Sequence, residues 1–155
     1  MENSNTHSKK GNYKTFFIML GCSFITMYIT MYLNSYAIDH VYFSLTRFYM
    51  TCLGISTMAV VMWFFMRKMY QDRKKNIAIL IGSLVLFVSA LSLVRMQKPI
   101  IGDILWMKAM IPHHSIAILT SERADIKDPE VKQLAEDIIT AQKKEIEEMK
   151  AMIKR

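Results

Sequence analysis

The sequence predicts an all-α membrane protein, with three transmembrane helices followed by an antiparallel helical hairpin outside the bilayer. Three observations predict it. Long apolar runs free of Asp, Glu, Lys and Arg recur three times in the first two thirds of the 155-residue chain. Basic residues crowd beside some of these runs and not others. The last third returns to a 3.6-residue amphipathic rhythm with a well-marked helix start.

Residues 1–14 are polar and are expected to be a disordered cytoplasmic terminus. The apolar runs cover residues 16–33, 48–66 and 77–94. A bilayer core of about 30 Å needs roughly 20 apolar residues in a helix, so each run is long enough to span. The first run is too long for a signal-peptide core and no small-residue cleavage site follows it. Residues 15–94 thus form a three-helix membrane unit. Residues 95–102, with Pro99 and Gly102, read as a linker, and residues 103–155 as the outer hairpin.

Charge orients the unit. Of the formal net charge of +7, most lies in the N-terminal segment (Lys9, Lys10 and Lys14 against Glu2) and the second loop (Arg67, Lys68, Arg73, Lys74 and Lys75 against Asp72). The first loop balances Arg47 against Asp39. Positive segments stay inside. The expected location is therefore the cytoplasmic (inner) membrane, with the N-terminus inside and the C-terminal domain extracytoplasmic or periplasmic. The basicity reports topology and contact with the lipid bilayer, and gives no reason to expect a nucleic acid partner. Cys22 and Cys52 both fall in the apolar runs, where free cysteine behaves as a small hydrophobe. The outer segment has no cysteine, which suits a compartment where free thiols oxidise.

Between the first two spans, residues 34–47 carry Tyr36, Tyr42 and Phe43, aromatic rings of the kind that settle at a membrane interface. The outer segment then reads as two helices. In the first, Met107, Met110, Ile111, His114, Ala117 and Ile118 recur with helical period, and Asp103 is the expected N-cap. The second opens on Asp128-Pro129-Glu130: a capping carboxylate, a proline at the first helical position and an acid in the first turn. It continues through Val131, Leu134, Ala135, Ile138, Gln142, Ile146, Met149 and Ile153. A short connection makes the helices antiparallel. So small a hairpin buries little surface alone. A second copy would complete a four-helix bundle, so a homodimer is expected, with packing against the membrane unit as the competing arrangement.

The stretch WMKAMIPHHSIAILTSE, residues 106–122, carries the candidate chemistry. Met110 is one turn before both His113 and His114, and Met107 a further turn before. Pro112 lacks an N–H and is expected to kink the helix or free a carbonyl. Folding the hairpin about Ile126 and Lys127 brings Met107 level with Ile146 and close to Met149, with Gln142 and Glu145 on the same stripe. His113 and His114 then face Ile139 and Thr140. Thioether sulfur suits Cu(I) and, by extension, Ag(I), whereas zinc prefers Cys, His and carboxylate. Methionines at helical spacing also serve as plain core filler.

The segment Met110-Ile111-Pro112-His113-His114, followed by Asp128-Pro129-Glu130-Val131, Leu134-Ala135, Ala141-Gln142, Glu145-Ile146 and Met149, resembles domain-of-unknown-function family 305, which includes CopM-like periplasmic copper-binding proteins. The resemblance covers roughly residues 103–153. It implies a ferritin-like four-helix arrangement and copper, Cu(I), or silver held by Met and His. Carried onto this chain, it points to Met110, His113, His114 and Met149 as metal ligands. Met107 and Met152 join them by geometry. Thr120 stands where the family often has a further methionine. A single hairpin replaces the two of larger members, which again implies dimerisation.

The leading expectation is a membrane-anchored extracytoplasmic metal-binding protein for copper sequestration or handling. No nucleophile-plus-base pair or phosphate loop points to an enzyme. One alternative is a copper conduit: Met58, Met62 and Met66 recur every four residues in the second span, as do Met27 and Met31 in the first. That pattern resembles Ctr-type copper transporters, although the orientation is opposite and the third span has only Gly82 where they have a glycine pair. The other alternative is a structural or partner-docking membrane protein that binds no metal.

Overall fold

The computed structural model describes residues 13–155. Among these residues there are five α-helices, one short 3-10 turn and no strand. They are α1 (Tyr13–Thr30), α2 (Leu45–Met66), α3 (Arg73–Met96), α4 (Asp103–Arg123) and α5 (Pro129–Ile153), with the 3-10 turn at Ile38–His40. The expected disorder of the N-terminal segment falls mostly outside the described residues, and α1 already includes Tyr13 and Lys14.

Helices α1, α2 and α3 have mean hydropathies of 1.2, 1.7 and 2.7 over their most apolar windows, and all three are long and apolar enough to cross a membrane. Only 11 %, 28 % and 17 % of those windows is buried within the protein. Side chains such as Phe17, Ile25, Phe65 and Leu84 therefore face outward, as they do when hydrocarbon is the solvent.

The described residues form two compact units. One holds residues 13–27 together with Tyr49–Arg95. Its core gathers Phe16, Leu20, Ile55, Ala59, Tyr70 and Ile79. Gly54 gives the thioether of Met27 its place: a Cβ there would lie 2.9 Å from Met27 Sδ. Tyr13 closes one end, its hydroxyl 3.0 Å from Asn76 Oδ1.

The other unit joins Tyr28–Phe48 to Met96–Arg155. Its core is the seam of the α4/α5 hairpin, where Ile111, Ile118 and Ile146 are fully buried beside Met107 and Met149. Burying such a side chain contributes about 1.5–3 kcal/mol. The start of α5 is as the sequence predicts: Asp128 Oδ1 accepts from Glu130 N at 2.9 Å and Val131 N at 3.2 Å. The start of α4 differs. Gly102 is the N-cap and Asp103 lies in the first turn, where no side chain caps the helix. The acid there still faces the positive end of the helix dipole. Helix α4 is continuous through Pro112.

The hairpin does not stand alone. The segment after α1, expected to rest at an interface, packs onto it. Tyr42 joins the hairpin core, Tyr36 N donates to Ser115 Oγ at 2.7 Å, and His40 Nδ1 lies 3.0 Å from the same oxygen. Lys150 Nζ reaches Asp39 Oδ2 at 2.6 Å. Part of the apolar face left over by two helices is covered within the chain.

Candidate metal-binding site

The candidate ligands divide into two groups. Met107 on α4 and Met149 on α5 are buried in one cluster, with Met110 packed against it. Met107 and Met149 thus share one cluster across the hairpin. His113 is exposed, and Met152 retains 52 % of its surface. The single chain does not bring these last two into the seam. Thr120, at the position of the missing methionine, spends its hydroxyl on the carbonyls of Ile116 and Ala117 at 2.9 and 3.2 Å.

His114 lies between the groups. Counting residues from the turn places it opposite Ile139 and Thr140, yet its Nδ1 lies 2.9 Å from Glu145 Oε2. The reason is the lean of helical side chains. Each points toward its own helix's N-terminus, so in an antiparallel pair the two arms converge from different levels. Nδ1 is buried, and the approach is close enough for a charge-assisted contact with the Glu145 carboxylate. Burial holds the imidazole below its ordinary titration range. His113 acts in the same direction, and Glu145 opposes both. The ring is thus a neutral base near neutral pH, the form in which imidazole binds metal.

Thioether sulfur is a soft donor and imidazole serves several metals. Among the described residues no three His, Cys, Asp or Glu side chains gather into a cage. The His114 imidazole lies beside a carboxylate and one turn from Met110.

Several residues that support this region went unrecognised in the sequence. Arg47 is buried at 8 % exposure. Its Nη2 donates to Pro112 O at 3.3 Å, its Nη1 donates to Met31 O, and its guanidinium stacks 4.4 Å over the Tyr32 ring. Ser115 is fully buried and receives the outer segment. No spacing rule exposes these roles, since Arg47 and Pro112 are 65 positions apart.

Met27, Met62 and Met66 pack against the membrane-unit core, Met58 is 38 % exposed, and the cavity between the helices is lined by no methionine.

These features define an all-α protein that pairs three helices able to cross a membrane with a helical hairpin. The family described as "Domain of unknown function (DUF305)" matches residues 92–153, the hairpin and its approach. The chain is also 34 % identical over 139 residues to an uncharacterized protein of Acanthamoeba polyphaga mimivirus, covering 88 % of this chain and 89 % of the relative. The chain belongs to the DUF305 family. No solved structure matches it.

Proposed function

We propose that this protein is a membrane-anchored, extracytoplasmic metal-binding protein that holds Cu(I) or Ag(I) as cargo on its hairpin. Met107, Met110, Met149 and His114 are the donors within one chain. His113 and Met152 face outward, where a second copy of the hairpin brings them into use. The observation that carries the reading is the gathering of Met107, Met110 and Met149 from both helices into one cluster, close in sequence to a neutral imidazole. Thioethers and imidazole form a donor set that favours a monovalent soft ion.

The placement of the hairpin outside the cytoplasm rests on the cationic second loop and the positive-inside tendency. Dimerisation rests on apolar residues of α5 that stay uncovered, Val131 at 49 % and Leu134 at 59 % exposure. Two hairpins joined along this face make a four-helix bundle.

The test is titration of the full chain in detergent with Cu(I) against a competing chelator. Wild type is compared with Met107→Leu/Met149→Leu and with His113→Ala/His114→Ala. Each double variant is expected to weaken binding by about tenfold or more, roughly 1.4 kcal/mol. Unchanged affinity in both would leave the hairpin as a packing and docking element. Chemical cross-linking of wild type against Leu134→Glu reads the dimer separately.

A further inference from the structure

A cavity of about 540 Å³ lies between α1, α2 and α3. Its walls include Leu20, Phe24, Ile55, Ala59, Ile79 and Leu86. Two glycines give it width: a Cβ added at Gly21 or Gly82 meets nothing within 4 Å. Lys75 and Tyr13 belong to the same lining, with Lys75 Nζ 5.1 Å above the Tyr13 ring. From Lys75 to Leu86, α3 rises about 16 Å at 1.5 Å per residue. That is close to half of a hydrocarbon core of roughly 30 Å, the depth of one leaflet.

We propose that this cavity seats an acyl chain of one anionic phospholipid, with the lipid phosphate on Lys75. An apolar void holds water poorly, because water needs two or more polar partners. Of the two serines in its walls, Ser56 and Ser83, the first already uses its hydroxyl on Leu53 O at 2.7 Å. Between membrane-spanning helices, hydrocarbon is the solvent that fills such a space. The charge around the mouth selects the headgroup. Arg73 and Lys74 adjoin Lys75, Arg67 and Lys68 precede them, and Asp72 is the acid among them. The Lys75–Asp72 pair is 3.6 Å long with both side chains largely exposed. So exposed a pair is weak, and a phosphate displaces or shares it readily.

The experiment uses the full chain, purified in mild detergent, stripped of lipid and offered equal amounts of phosphatidylglycerol and phosphatidylcholine. Native mass spectrometry reads the retained adduct. Wild type is expected to keep one phosphatidylglycerol with about fivefold preference, the scale of one lysine–headgroup attraction. Gly82→Leu and Gly21→Leu place a side chain in the void and are each expected to abolish the adduct with either lipid. Lys75→Gln, at the exposed mouth, is expected to keep the adduct and lose the preference. Equal retention of the two lipids by wild type overturns the proposal. So does undiminished retention in both glycine variants, or a preference that persists without Lys75.

Discussion

His40 Nδ1 stands 3.0 Å from Ser115 Oγ, across 75 positions of chain. Both side chains are buried. Because Ser115 Oγ also accepts from Tyr36 N, its proton is available to the imidazole. One hydroxyl thus ties the segment after α1 to the middle of α4.

Ser115→Ala leaves the Tyr36 amide and the His40 nitrogen without this partner. Each buried group stripped of its hydrogen bond costs about 1–3 kcal/mol. The expected result is a lower unfolding temperature and faster amide exchange at residues 36–44. Exchange as slow as wild type would show that the segment is held elsewhere.

Acid should loosen this unit. Burial lowers the His40 titration first, Lys150 adds to it, and Asp39 and Glu147 oppose. Burial likewise lowers His114. Unfolded histidine titrates near 6.5, so between that value and the lowered folded values the unfolded chain binds more protons. The stabilisation is complete above about 6.5 and is lost as pH falls through the folded values. Thermal unfolding followed from pH 8 to pH 5 (roughly the histidine window) should show a falling midpoint below about 6.5. A flat profile contradicts the burial argument.

Lys150 Nζ lies 2.6 Å from Asp39 Oδ2 and 3.1 Å from Glu147 Oε1. Burial opposes its charge, but hydrogen bonds to the two carboxylates outweigh this and hold its titration above the ordinary lysine range. Both carboxylates are exposed, so Lys150→Met should cost no more than about 1 kcal/mol. The same substitution removes a cation that depresses His40. Its titration, followed by NMR, should move upward. A downward move would assign the depression wrongly.

Asp128→Ala tests the α5 cap. Losing its bonds to Glu130 N and Val131 N should cost about 0.5–2 kcal/mol, measured by denaturant midpoint. Asp128→Asn should recover most of it. If alanine and asparagine behave alike, the cap is not what starts the helix.

Met107→Leu and Ile146→Ala separate packing from ligation. The first keeps volume and should cost less than about 1.5 kcal/mol, yet weaken Cu(I) binding. The second opens a cavity and should cost about 2–5 kcal/mol while every proposed donor remains. Equal metal affinity in wild type and Met107→Leu would remove this thioether from the site.

What could be read from the sequence and what could not differ in physical kind. The three apolar helices, the Asp128-Pro129 start and the shared cluster of Met107 and Met149 follow from hydropathy, capping and a 3.6-residue period. Residues within a few turns of each other decide all of these, or a short loop with one register. The cap of α4 escaped because Asp103 and Gly102 are adjacent and only backbone angles tell them apart. His114 reaches Glu145 because side chains lean along their helices, which counting Cα positions ignores.

The sequence by itself therefore determined that three apolar helices, the last two joined by a basic turn, are followed by an amphipathic hairpin, since each of these is a local property. Only the tertiary structure decided that the segment around His40 covers that hairpin through Ser115, Arg47 and Lys150. Those pairings join residues 65 to 111 positions apart, and their distances depend on the path of the whole unit. A buried polar group needs a partner, but nothing in a linear pattern says which one the chain will bring.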